Sequence, residues 1–262
     1  MPRRLLGAAL LLALVPAIIS TSRDAAAPAA VPVRYAEGTL HGFVELRNTA
    51  DSLLARGDLL QVPRDTAIES RLVFQFADSS TFEEKVVFTQ HQVFTLLSYR
   101  LVQRGRAFAQ DLDVELSRDG AYVVKTKSHK DGKEDRMTGK LDLPADVYNG
   151  MIITVAKNLA REARTVHIVA FTPKPLVLPL AMRPDGSDPL SIGGQRETAV
   201  RFTLEPRLNL LQRIGAKLKR QTPPDSHLWI VTEDVPAFVR FEGPLYSGPI
   251  WRISLTSPHW TK

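Results

Sequence analysis

In run after run of this chain, apolar side chains occupy alternate positions, and no other feature restricts its fold as much. Leu72, Phe74 and Phe76 share one parity. Phe82, Val86 and Phe88 share another, with Glu83 and Lys85 opposed to them. The pattern continues through Val93, Leu97, Tyr99 and Leu101 and returns at Trp251, Ile253 and Leu255, opposite Arg252 and Ser254. Successive strand residues point to opposite faces, so period two describes antiparallel strands with one buried and one wet face. Asp119-Gly120, Asp131-Gly132 and Asp185-Gly186 each separate two strand-like runs. Asp-Gly suits a two-residue hairpin because both turn positions favour positive φ. A meander of hairpins follows, with Gly193-Gly194 marking a bulge or bend within a strand.

Two segments break the alternation. After Pro144, which suits a first helical position, Val147, Met151, Val155 and Leu159 recur every four residues. Tyr148, Ile152 and Ala156 widen that apolar face, predicting a helix buried on most sides, with Gly150 a point of close packing. A second stripe, Leu210, Leu211, Ile214 and Leu218, is interleaved with Arg213, Lys217, Lys219 and Arg220 and stops at Pro223-Pro224. It reads either as a helix laid on anionic lipid or an acidic partner, or as a surface helix capping the sheet. The expected fold is α+β: a single curved antiparallel sheet, a half-barrel wrapped around one central helix, with a short second helix. No internal linker divides residues 30–262, which are expected to form one domain.

The chain opens with Arg3 and Arg4, then an apolar stretch from Leu5 to Ile19, then small residues including Ala27-Pro28-Ala29. That layout predicts a secretory signal peptide over residues 1–29, cleaved near 22 or near 29. The apolar stretch falls short of the roughly 20 residues of a membrane span, and no second such run occurs. The chain is therefore expected to be exported, periplasmic or secreted, and soluble. With no cysteine, it is expected neither to be a lipoprotein nor to hold disulfides. The formal net charge of +6 becomes +4 once Arg3, Arg4, Arg23 and Asp24 leave with residues 1–29. A mildly basic, mixed-sign surface suits weak contact with an anionic membrane surface and excludes a nucleic-acid signature.

Several chemistries lose their local support. Lack of cysteine removes thiolate zinc sites and cysteine nucleophiles. The histidines at 41, 91, 129, 167, 227 and 259 form no H-E-x-x-H and no i, i+4 pair, so no metal site is expected. G-x-S-x-G, S-x-x-K, P-loop and G-x-G-x-x-G patterns are missing, so no nucleotide or other cofactor is expected. Glu233 and Asp234 are adjacent carboxylates framed by aromatics. Neighbouring strand residues face opposite ways, whereas a glycosidase needs two carboxyls about 5 to 9 Å apart aimed at one site. The Thr232–Pro236 stretch reads instead as a hairpin corner. By parity Trp229 opposes Leu228 and Ile230 and is expected on the helix side of the sheet.

Three stretches, VRYAEGTLHGFVELR, LDLPADVYNGMIITVAKNL and HLWIVTEDVPAFVRFEG with the following GPIWRISL, carry a resemblance. Together they resemble a family of exported bacterial proteins of unknown function. In that family a Tyr/Gly first strand opens a curved sheet, a central helix follows, and a W-x4-D hairpin comes near the end. Here that hairpin is Trp229 to Asp234. The family's fold is similar to the half-barrels of lipoprotein-localisation carriers, whose concave apolar face receives acyl chains. The resemblance implies the handling of a lipid-like molecule and transfers no catalytic residue.

The leading expectation is thus a non-catalytic envelope protein that binds or carries a hydrophobic ligand. Phe74, Phe88, Tyr99, Trp229 and Trp251 from strands, with Tyr148 and Met151 from the helix, are its candidate groove lining. The alternative for each is simple core packing. A second expectation is an assembly protein whose partner is another envelope protein, met through Arg213, Lys217 and Lys219 or a free sheet edge. A third is a secreted hydrolase using carboxylates.

Overall fold

A computed structural model of the chain describes residues 30–171, 173–192, 195–208, 224–233 and 235–256. The alternating runs become fourteen strands. They are β1 (Leu40–Asn48), β2 (Leu53–Arg64), β3 (Ala67–Phe76), β4 (Thr81–Gln90), β5 (Phe94–Arg104), β6 (Gln110–Ser117), β7 (Ala121–Ser128) and β8 (Glu134–Lys140), then β9 (Arg164–Ala170), β10 (Leu176–Ile192), β11 (Gln195–Pro206), β12 (Ser226–Val231), β13 (Ala237–Gly243) and β14 (Trp251–Thr256). All lie in one antiparallel sheet of order β8-β7-β6-β5-β4-β3-β2-β1-β14-β13-β12-β11-β10-β9. Each half is a meander, and pairing of β1 with β14 joins the halves. One face, called inner below, carries the main core, from Val44 and Phe74 through Leu101 to Leu228 and Ile253.

The expected α+β half-barrel wrapped around a central helix is corrected to a nearly all-β fold. Among the described residues there is one α-helix, α1 (Ile152–Lys157), of six residues. The apolar residues that suggested a long helix are indeed buried: Val147, Tyr148, Met151, Val155 and Leu159 are each no more than 3% exposed. They are buried because the connector from β8 to β9 crosses the inner face, where non-helical backbone is enclosed as fully as helix. Gly150 interrupts any helix with φ of 70°. A Cβ there would lie 3.1 Å from Val86 Cβ and 3.2 Å from the Tyr99 ring, so the backbone itself packs against β4 and β5. The expected second helix falls on residues 209–223, outside the described residues.

The connector also closes one edge of the sheet. Val147 bridges His167 of β9 in parallel. The Tyr148 N–H donates to His167 O and the His167 N–H to Asp146 O, both at 2.9 Å. The chain preceding β1 is tied to the same connector. Val31 N–H donates to Tyr148 Oη at 2.7 Å, and Arg34 and Tyr35 N–H both donate to Asn158 Oδ1. Lys157 Nζ meets Glu37 Oε2 at 2.6 Å, and Gln61 Nε2 donates to the same oxygen.

Turn chemistry is partly as expected. Asp119-Gly120 lies between β6 and β7 and Asp131-Gly132 between β7 and β8, with Gly120 and Gly132 at φ of 88° and 69°. Asp185-Gly186 is no hairpin. It lies inside β10, where the register with β11 shifts between Pro184 and Gly186. Gly193 and Gly194, expected to mark a bulge or bend, lie outside the described residues. Among the described residues no helix is long and apolar enough to cross a membrane.

Candidate functional site

Most of the aromatic residues nominated from the sequence are enclosed by protein. Phe74, Phe88, Tyr99 and Trp251 project from β3, β4, β5 and β14 into the main core, joined there by Tyr148 and Met151 of the connector. Phe74, Phe88 and Tyr148 are fully buried. Trp251 packs with Phe76 and Phe108 at centroid distances of 5.7 and 6.1 Å. A ligand would reach these rings only by displacing packed neighbours. Arg213, Lys217, Lys219 and Asp234 lie outside the described residues. Glu233 is exposed in the link between β12 and β13.

Trp229 sits on the other face. Leu228 and Ile230 join the main core, so parity turns Trp229 outward, where it packs with Ala199, Val231, Val239 and Leu190. The expectation that it faces the helix side is corrected accordingly. Its Nε1 donates to Asp188 Oδ2 at 2.7 Å. Arg201 binds Asp188 at 3.1 Å and Asp185 at 2.8 Å, and the Arg240 guanidinium lies 5.6 Å from the indole centroid. Burial opposes ionisation of Asp185, but the Thr203 hydroxyl and Arg201 prevail and hold its carboxyl below the usual range. The register with β13 shifts between Trp229 and Ile230, so a bulge lies beside this cluster.

The inner face keeps one chemically distinctive place. Glu84 of β4 stands in the register row Leu72, Glu84, Leu101, on the same parity as Phe82, Val86 and Phe88. Tyr99 Oη donates to Glu84 Oε1 at 2.8 Å. The Tyr99 ring stacks on Phe171 at 6.0 Å and 5°, and Phe171 lies 6.5 Å from the Tyr246 ring. Tyr246 Oη in turn accepts the Phe171 N–H at 2.7 Å. Burial pushes the Glu84 carboxyl above the ordinary glutamate range, and the bond from Tyr99 offsets only part of that. Burial and the adjacent Glu84 charge both push the Tyr99 phenol well up. Glu84, Leu72, Leu59, Leu245 and Tyr246 are only half-buried. The result is a half-buried acid set in an apolar face and backed by three aromatic rings.

The sequence did contain the signal for this acid. Phe82-x-Glu84-x-Val86-x-Phe88 places a carboxylate at an inward position of an otherwise apolar parity, but attention to the apolar members alone passes over it. Elsewhere, Asp146 Oδ1 lies 2.8 Å from His167 Nδ1, while its Oδ2 is buried with no hydrogen-bond partner. A shallow hollow of about 460 Å³ on the outer face is lined by Phe43, Leu53, Arg56, Asp58 and Val73 among others. Among the described residues no three His, Asp or Glu side chains are grouped to hold a metal ion. A scan against protein-family models, a search of curated proteins and a search of solved structures each returned no match.

Proposed function

We propose that the protein is a non-catalytic component of the cell envelope that binds an amphiphile on the inner face of its sheet. The apolar part of the ligand lies along Leu59, Leu72, Leu245 and Tyr246, and its polar end meets Glu84. The observation that carries this reading is Glu84 itself. An ionised carboxylate without a countercharge is costly in apolar surroundings, and a leucine at this inward position would serve the core better. Sites for small molecules are mostly apolar with a few placed polar groups, which is the composition at Glu84 and Tyr99. Export is supported by the signal-peptide layout of residues 1–29.

Native mass spectrometry of the protein from its own cells, followed by calorimetric titration with lysophosphatidylethanolamine, tests this reading. The expected result is a co-purifying amphiphile, and titration weakened by both Glu84→Leu and Leu72→Asp. No uptake of the lipid, or uptake equal in the two variants and the parent, overturns it.

A further inference from the structure

The two edges of the sheet are treated in opposite ways. On β9 the outward backbone groups of His167 and Val169, and the N–H of Phe171 just beyond the strand, have partners inside the chain. His167 pairs with Asp146 and Tyr148, Val169 with the side chain of Asn149, and the N–H of Phe171 with Tyr246 Oη. On β8 the ladder to β7 ends at Ser128 N–H to Lys133 O and at Leu141 N–H to Gly120 O. Alternation between these ends turns Lys133, Asp135, Met137, Gly139 and Leu141 toward β7. Glu134, Arg136, Thr138 and Lys140 present their N–H and C=O groups outward. Of these outward groups only the Arg136 N–H has a partner among the described residues, the exposed Asp135 side chain at 2.9 Å.

An open edge is a template for another strand, and charged residues placed along it ordinarily discourage pairing. On β8 the exposed Glu134 and Lys140 pair within the chain with Lys127 and Asp119, and their positions along the edge also fit a second copy of themselves. Antiparallel pairing about a twofold axis through Met137 sets Glu134 opposite Lys140 and Arg136 opposite Thr138, each twice. The outward residues then meet one another, as a hydrogen-bonded ladder requires. Shifting the axis to Arg136 sets Arg136 against Arg136, and shifting it to Thr138 sets Arg136 against Lys140. Both alternatives oppose like charges across the ladder, which is unfavourable. Met137, half-buried and packed against the main core, meets its own copy on the inner face, so the apolar side of the sheet continues across the junction.

We infer that the protein forms a twofold dimer by antiparallel pairing of β8 with β8 of a second copy, centred on Met137. The contact is isologous and so closes on two copies, and among the described residues the opposite edge, β9, is capped at His167, Val169 and Phe171. It is independent of ligand binding at Glu84. The exposed bond between Asp135 and the Arg136 N–H is exchanged for a bond to the partner's backbone.

Sedimentation velocity of the purified protein over a range of concentrations tests the inference, with four variants beside the parent. The parent is expected to dimerise reversibly. E134K and K140E each place like charges opposite one another at two positions and raise the dissociation constant about tenfold. E134K/K140E restores opposite signs in reversed order and recovers the parent's association. T138P removes an outward N–H that makes no bond within the chain, so it abolishes the dimer while far-UV circular dichroism stays unchanged. Should T138P fail to fold, the charge pair still decides, since both of its side chains are exposed. A parent that is monomeric throughout, a dimer indifferent to T138P, or a double reversal that fails to restore association overturns the inference.

Discussion

The side-chain amide of Asn149 makes both hydrogen bonds that a neighbouring strand would make to Val169. Val169 N–H donates to Asn149 Oδ1 at 2.7 Å, and Asn149 Nδ2 donates to Val169 O at 2.9 Å. A single buried side chain thus substitutes for a residue of a strand and helps close the β9 edge. An exposed long edge invites pairing with other chains, so this substitution protects the sheet as well as stabilising it.

Replacing Asn149 by Leu leaves the N–H and C=O of buried Val169 without partners. Unsatisfied buried groups cost about 1 to 3 kcal/mol each, so a total loss of about 3 kcal/mol is expected from urea unfolding. Asn149→Asp keeps the acceptor for the N–H but turns an oxygen toward the Val169 carbonyl, and it too is expected to lower the unfolding midpoint.

Gly150→Ala tests why the connector is not a helix. The residue has φ of 70°, and a Cβ would lie 3.1 Å from Val86 Cβ. The left-handed conformation alone costs an L-residue roughly 1 to 2 kcal/mol. Were this segment a helix interior, alanine would stabilise it by about 1 kcal/mol instead. The expected sign in thermal unfolding is therefore destabilisation.

Glu84 gives stability a definite pH dependence. Its carboxyl is raised in the folded state by burial, so folding favours the protonated acid. That contribution is full below the ordinary glutamate range and is lost as pH rises through the raised value. Glu84→Gln does not titrate and still accepts the bond from Tyr99. The stability of the Gln variant relative to the parent is expected to grow with pH across that window and to level off above it, as read from urea midpoints.

Trp229→Phe removes the donor to Asp188 while keeping an aromatic ring beneath Arg240. Asp188 retains Arg201, so the expected loss is about 1 kcal/mol, within the range for a single hydrogen bond. Because Trp229 lies on the outer face, amphiphile binding is expected to be unchanged in the same variant, whereas a groove lined by Trp229 would lose it.

The parity of apolar residues determined much of this protein. Period two over 71–101 and 251–255 was legible as strands, and so were the hairpins at Asp119-Gly120 and Asp131-Gly132, because strand facing and positive-φ turns are local properties. Tertiary structure decided the rest. Whether Val147 to Leu159 is helical depends on what encloses it. Buried backbone of any conformation shows apolar residues, and the choice was made by Gly150 against β5 and by Asn149 bonding a residue 20 positions away. Asp185-Gly186 has hairpin chemistry, yet β10 runs through it, because pairing with β11 continues on both sides of the bulge. Trp229 and Glu84 show the same division. The sequence put each on a definite parity, but only the assembled sheet decided which parity is the core, turning Trp229 outward and Glu84 in.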